Sequence, residues 1–495
     1  MSYLKKLAGQ TAIYGFSSVV PRLLNYILVP LYTRVFLPEE YGVVTEMYAY
    51  LAFLLILLTY GMETGFFRFA TKDEDSSLTY STAFYSLLTS SVLFIGLVYL
   101  FSNSISSLLQ YPNNPEYVKL LVIIIGIDAF TTIPFAKLRL ENRPILFAFL
   151  KISGVVLNVL LNFFFLTVCP QVEFFTTIGL YDPSLGVTYV FISNLISSLF
   201  VLVLLFFIPG IVPRTFSFAR LKIILVYSFP LLISGLGGTT NESFDRIFLK
   251  YLIDPTNDPL YQLGIYGSNV KLAVLMVLFI QMYRYAAEPF FFSNANRSDS
   301  PTMYANMMKY FLIFTLLIFL GVGLFTDVFK YLVGPNFREG LGVVPILLLA
   351  NLFYGLFFNF SIWYKLTNKT WYGIYYTFTG AAVTLVLYFT LIPKIGYYGA
   401  AVARLSCYIL MAYLCYRGGK KFFPIPYDLK RMGIYLLSAI IVFSLGYFIN
   451  INILFLSFLY RFALVGAFLY IVILNEGINV KSLIISLVHE SKSNK

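Results

Sequence analysis

The residues able to do chemistry in this chain lie in or beside long apolar runs. Arg22, Asn25, Lys151, Arg246 and Lys271 are groups that hold an anion; Asp128, Glu242 and Asp245 are carboxylates that can bind and release a cation. The stretch "VVPRLLNYILVPLYTRV" (19–35) poses the problem most sharply, because a proline, a guanidinium and an amide interrupt it. At 1.5 Å per residue, Arg22 sits roughly 18 Å inside a span over 10–33, near the bilayer midplane. Facing lipid there, an arginine costs about 2.5–3.5 kcal/mol. Ser18, Arg22, Asn25 and Thr33 fall within an arc of roughly 80°, so this helix has one wet or protein-facing side. Such a side also tolerates Pro21, since neighbouring groups can satisfy the carbonyl it frees. The competing reading is that Arg22 only pairs with an acid on another helix.

Four other cations lie within spans. Lys271, Arg404 and Arg461 sit roughly 10–12 Å from the outer face and Lys151 a similar depth from the inner one. Arg404 and Arg461 can snorkel and read as structural. Among the acids, Asp128 in "IIIGIDAFTTIP" is the one clear mid-membrane carboxylate, and Glu46 and Glu63 lie near the ends of their span. Glu242, Asp245 and Arg246 share a helix face, where a local Glu242–Arg246 pair is the plain structural alternative. With cations in excess at depth, the economical partner is an anionic substrate. Tyr26, Tyr48 and Tyr50 can stack on sugar rings.

The elements that must position these groups are membrane helices. The chain has 495 residues, 59% of them hydrophobic and 12% charged, with a mean hydropathy of +0.80. The fold class is an all-α polytopic membrane protein. Fourteen spans are expected near 10–33, 41–63, 79–101, 118–138, 144–168, 184–208, 221–244, 263–285, 305–329, 341–364, 371–392, 397–416, 431–450 and 453–474. Lys5 and Lys6 precede a full-length span with no small-residue cleavage site, so no cleavable signal peptide is expected.

With a cytoplasmic N-terminus this layout puts 23 basic residues inside and 7 outside, the latter including Arg246 and Lys250. That is the bias of a protein with both termini in the cytoplasm. The net charge of +12 is thus mostly a topology signal, and no nucleic-acid partner is expected. The three cysteines (Cys169, Cys407, Cys415) form no metal spacing and the one histidine, His489, is in the tail. No histidine-ligated metal, cofactor or serine–histidine triad is expected. The loops are too short for a soluble catalytic domain, so function sits between the helices.

The halves hint at duplication. "SSVVPRLL" (17–24) parallels "YSFPLLI" (227–233), and "PEEYGVVT" (38–45) enters one span as "YQLGIYGS" (261–268) enters another. Parallel repeats about an axis along the membrane normal are a transporter design. The segment "VPLYTRVFLPEEYGVVTEMYAYLAFLLILLTYGMETGFFRF" resembles the first helical pair of bacterial polysaccharide-biosynthesis transporters, the Wzx-like oligosaccharide-lipid flippases. "FDRIFLKYL…LGIYGSNVKLA" resembles their seventh and eighth helices.

The resemblance implies the fold of the multidrug/oligosaccharidyl-lipid/polysaccharide exporter superfamily: two six-helix lobes (1–215 and 216–422) around a central cavity, then two C-terminal helices and a tail (423–495). It implies a polyprenyl diphosphate-linked oligosaccharide as substrate. This is moved by alternating access across the bacterial plasma membrane for O-antigen, capsule or exopolysaccharide synthesis, with polysaccharide polymerase machinery as a further partner. Arg22 and Lys271 would supply the cavity cations, with Asp245 and Arg246 opening the second lobe's motif. Lys151 and Asp128 align with no family position and rest on depth alone.

Two other readings compete. A multidrug exporter of the same superfamily would have 12 spans and an acidic interior. A membrane-embedded polysaccharide polymerase or ligase would carry a large outer loop with basic catalytic residues, whereas the outer loops here are short. A transporter without enzymatic activity is therefore expected.

Overall fold

A computed structural model describes residues 20–21, 23–71, 76–213, 215–295, 297–449 and 451–477, and these are helical with no strand. Among the described residues, twelve stretches are long and apolar enough to cross a membrane, or 13 if Pro259–Leu272 and Val274–Ser293, interrupted at Ala273, count as one. Each of the expected spans after the first overlaps one of these stretches. The first begins in the described residues only at Val20, and Arg22 lies outside them. The chain is a multi-pass membrane protein. Leu93, Leu97, Leu160, Phe163, Val226, Phe229, Ile441, Leu459 and Phe462 are exposed, as lipid-facing side chains are.

The principal helices are α1 (23–35), α2 (Pro38–Thr59, continued by Met62–Ala70), α3 (Ser76–Leu100), α4 (Pro115–Leu140), α5 (Pro144–Phe163), α6 (Thr188–Phe206), α7 (Phe218–Leu252) and α8 (Pro259–Leu272). They continue as α9 (Val274–Ser293), α10 (Ser300–Leu324), α11 (Val344–Phe360), α12 (Trp371–Ile395), α13 (Tyr397–Phe422), α14 (Leu429–Phe448) and α15 (Leu454–Glu476).

Local chemistry sets their ends. At the start of α2, Pro38 takes the first helical position and the Leu37 backbone N–H donates to Glu40 Oε2 at 2.8 Å. Glu39 and Glu40 also complement the positive end of the helix dipole. The α2 run ends where Tyr60 and Gly61 adopt positive φ. Pro115 and Glu116 open α4, and Lys137 and Arg139 occupy its last turn.

Two compact units form. One comprises Met1–Lys271, Val333–Glu339 and Thr377–Arg404; the other comprises Leu272–Leu332, Gly340–Tyr376 and Leu405–Lys495. At the centre of the first lies α4, with 72% of its most apolar window buried. Its Phe130 and Ile133 pack with Phe84, Leu87, Met62 and Phe66, and the Phe84 and Phe130 rings meet edge-on at 4.9 Å. In the same unit α2 and α8 approach so closely that glycine is required. A Cβ on Gly264 would overlap the Pro38 carbonyl oxygen, and one on Gly42 would overlap the Leu260 carbonyl oxygen. These glycines belong to the paired motifs "PEEYGVVT" and "YQLGIYGS", which pack against each other here.

In the second unit, Glu476 ties three helices together. It pairs with Lys309 of α10 and accepts from the Tyr435 hydroxyl of α14 at 2.6 Å. Arg461 does not reach for solvent alone; its Nη1 pairs with Asp327 Oδ2 at 2.6 Å.

One boundary corrects the sequence expectation in a way that matters for the site. A span was expected over 221–244, yet α7 runs to Leu252, 35 residues in all. Arg246 and Lys250, counted as outer-loop charges, are on this helix. At 1.5 Å per residue it is roughly 52 Å long, well beyond a hydrocarbon core of about 30 Å. The helix continues because its terminal charges find partners, which hydropathy does not register.

Candidate functional site

Within the first unit, α1, α2, α4, α5, α6, α7 and α8 enclose a cavity of about 430 Å³, in the size range of about 300–1,000 Å³ usual for ligand sites. Each helix contributes a polar group: Asn25 and Tyr32 from α1, Tyr41, Thr45 and Tyr48 from α2, Asp128 from α4, Asn158 from α5, Asn194 from α6, Arg246 from α7 and Lys271 from α8. Leu28, Val29, Val44 and Leu51 supply apolar wall.

The polar groups are held in place. Ser198 Oγ donates to Asp128 Oδ1 at 2.9 Å, one turn beyond Asn194 on α6. Asn194 Nδ2 donates to the Tyr48 hydroxyl at 3.2 Å. The Tyr32 hydroxyl donates to Asn162 Oδ1 at 2.9 Å, and Asn162 in turn donates to the Asn158 side-chain oxygen at 3.0 Å. Tyr26 donates to the Lys271 carbonyl, joining α1 to α8.

Behind Arg246 lies Asp245, fully buried. Its Oδ2 accepts from the Tyr266 hydroxyl at 2.6 Å and from Arg404 Nη1 at 3.4 Å, and its Oδ1 lies 4.0 Å from Arg246 Nε. The site thus sets three cations (Arg246, Lys271 and, behind the wall, Arg404) against two carboxylates (Asp128 and Asp245).

Of the residues singled out in the sequence, Asn25, Asp128, Arg246 and Lys271 meet in the cavity. Lys151 does not line it; its ammonium sits 4.1 Å from the Phe135 ring centroid. Glu242 is exposed and makes no ion pair with Arg246, which pairs with Asp245 instead. Asp128 is not alone as a deep carboxylate, because Asp245 and Glu46 are both fully buried. Arg404, expected to snorkel, is 5% exposed and paired. Tyr48 lines the cavity, whereas Tyr50 does not.

Tyr50 belongs to a second polar cluster. Glu46 accepts from Tyr50 at 3.1 Å, from Tyr111, and from Lys250 Nζ at 3.0 Å. Lys250 also donates to the Leu109 carbonyl at 2.5 Å and lies 3.7 Å from the Tyr111 ring centroid.

Sequence reading missed Tyr41, Thr45, Asn158 and Asn194 in the wall. The available signal was spacing: Asn158 and Asn162, and Asn194 and Ser198, recur at i and i+4 in otherwise apolar helices, which marks one polar face.

No curated protein matches this chain. Among solved structures, the lipid II flippase MurJ in an inward closed conformation is similar, with a TM-score of 0.72 and 15% identity over 94% of this chain and 99% of that one. An inward-facing multidrug resistance MATE family transporter of the MOP superfamily gives a TM-score of 0.65 and 16% identity over 83% of this chain and 97% of that one. A MOP superfamily transporter from Pyrococcus furiosus gives 0.53 and 14%, over 84% and 94%. At these identities the likeness is one of fold: the chain has the fold of MOP-superfamily transporters and flippases. The family described as "Polysaccharide biosynthesis protein" matches residues 31–282, from within α1 into the first half of α9 and across the helices that wall the cavity. The chain is therefore a member of the polysaccharide biosynthesis protein family.

Proposed function

We propose that this protein carries polyprenyl diphosphate-linked oligosaccharide from the cytoplasmic to the outer leaflet of a bacterial plasma membrane by alternating access. It does so as a transporter rather than an enzyme, supplying polysaccharide polymerase machinery on the far side. The observation that carries this reading is the convergence of Arg246 and Lys271 on one polar cavity in a membrane-embedded chain of this family. A diphosphate is held well by such cations. Asn25, Asn158, Asn194 and the Tyr41 and Tyr48 hydroxyls offer the donors and acceptors that sugar hydroxyls need, while the lipid tail stays in the bilayer.

Arg22, three residues before Asn25 in the sequence and outside the described residues, would add a third cation to this path. The lobes 1–215 and 216–422 would move against each other around it, with 423–495 peripheral. For coupling, Asp128 is the best-placed carboxylate, because Asp245 is committed to Tyr266 and Arg404, and Glu242 lies outside the cavity lining. Asp128 is also the one observation favouring a multidrug exporter, since a cationic drug needs an acid. The surplus of cations around the cavity argues against that alternative.

The test is export of surface polysaccharide by Arg246→Ala, Lys271→Ala and Arg22→Ala variants, each normalised to membrane abundance. Losing one charge-assisted hydrogen bond costs about 1.5–3 kcal/mol, roughly 10- to 150-fold in affinity. Export should fall accordingly, and Arg246→Lys should retain part of it. Full export by stably inserted alanine variants would refute the reading.

A further inference from the structure

A second cavity, of about 400 Å³, lies in the same unit and shares no lining residue with the first. It is formed where α7 passes into α8, where α12 passes into α13, and by Glu339; the charge bias expects this end to face outside. Its chemistry differs from that of the central cavity. Tyr261, Tyr397 and Tyr398 supply aromatic surface, Gln262 and Asn257 supply amides, and Asp254 and Glu339 outnumber the one cation, Lys394.

We propose that this cavity is a saccharide-binding site for neutral or amino sugars, receiving the sugar portion of the substrate and not its phosphates. Planar amides and carboxylates accept and donate to vicinal hydroxyls in pairs, and aromatic rings cover the apolar face of a pyranose. The acidic balance repels a phosphate and favours an amino sugar, and the Lys394 ammonium in the wall argues against a metal ion.

The cavity is built before any ligand arrives. The Tyr397 and Tyr398 rings stack at 4.9 Å and 27°, forming one aromatic platform. Gln262 Nε2 donates to the Asn257 carbonyl at 3.1 Å, which fixes the plane of its amide. The Tyr261 hydroxyl is hydrogen-bonded to Glu339. Asp254 uses Oδ1 to accept from the Thr256 backbone N–H at 2.9 Å and its hydroxyl at 2.7 Å; Oδ2 takes part in neither bond. Gly396, beside the platform, has φ +56°, and a Cβ there would overlap Gln262 Oε1. Only glycine leaves that amide where it is.

Naming the sugar portion of the substrate rests on the transport reading; saccharide binding itself does not. The experiment uses the full chain in nanodiscs and saturation-transfer NMR with three lipid-free probes: N,N′-diacetylchitobiose, the chitosan disaccharide and glucose 1-phosphate. Transfer to at least one of the first two is expected; glucose 1-phosphate, which the central cations can also hold, is the probe whose transfer should not depend on Tyr397 and Tyr398. Affinity for the disaccharide should drop at least tenfold in Gly396→Ala and in Tyr397→Ala/Tyr398→Ala. The thermal unfolding of each variant is compared with the parent, and Gln262→Ala serves as a second probe of the site if Gly396→Ala is unstable. The proposal is overturned if neither disaccharide shows transfer, or if Tyr397→Ala/Tyr398→Ala lowers glucose 1-phosphate transfer as much as disaccharide transfer. It is equally overturned if Tyr397→Ala/Tyr398→Ala keeps the parent's affinity for the disaccharide. A failure here leaves leaflet-to-leaflet transport standing, and a failure of transport leaves the binding result intact.

Discussion

Replacing Lys250 by methionine keeps most of the side-chain volume and removes one buried charge. The Lys250 and Glu46 side chains are 3% and 0% exposed, with Nζ and Oε2 3.0 Å apart. Without the ammonium, the Glu46 carboxylate is left buried with only the Tyr50 and Tyr111 hydroxyls donating to it. Removing one partner of a buried ion pair costs about 3–5 kcal/mol, roughly 150- to 5,000-fold in the folded-to-unfolded ratio. Lys250→Met/Glu46→Gln removes both charges and should recover most of that loss, because a neutral amide can still bond with the two tyrosines. The assay is graded SDS denaturation in mixed micelles for the parent, both single variants and the double, analysed as a double-mutant cycle. A Lys250→Met variant as stable as the parent, or a double variant no more stable than Lys250→Met, would refute the account of this cluster.

Three further outcomes follow from the packing and the charges. Asp128→Asn keeps the Ser198 contact as a neutral hydrogen bond; it should export poorly and lose dependence on the ion gradient, and normal gradient-dependent export would make Asp128 purely structural. Gly264→Ala places a methyl on the Pro38 carbonyl, so it should destabilise the protein by about 1–3 kcal/mol, the cost of overpacking, and lower its membrane abundance; abundance equal to the parent would show that α2 and α8 can separate freely. Reporter fusions after Arg143 and Lys420 should report cytoplasm, and those at Asn113 and Asp182 the opposite side; a reversed reading at any one overturns the orientation there.

The helices were legible because apolar runs of membrane length are hard to mistake, and the charged groups because lipid makes a deep charge conspicuous. Lys271 and Asp128 were found that way. The amides of the cavity wall were not: Asn158 and Asn194 carry no charge, and a single amide in a leucine-rich helix costs little enough to pass unnoticed. Lys250 was misplaced for the converse reason. Hydropathy ends a span where charges begin, yet Glu46, distant in sequence, neutralises Lys250 and lets α7 continue. Partner choice is likewise a tertiary fact: i, i+4 spacing suggested Glu242 for Arg246, but Asp245 serves Arg246, Arg404 and Tyr266 together. The second cavity had no sequence signature at all, since it joins residues from three separate stretches.

The most direct test of the central proposal is the membrane face on which lipid-linked oligosaccharide accumulates when this protein is depleted. Right-side-out and inverted membrane vesicles from depleted cells would be treated with an impermeant glycan-labelling reagent. The account predicts that label appears almost wholly on the cytoplasmic face, and that re-expressing the intact chain restores the outer pool whereas Arg246→Ala/Lys271→Ala does not. Normal levels of outer-face lipid-linked oligosaccharide in depleted cells would contradict it.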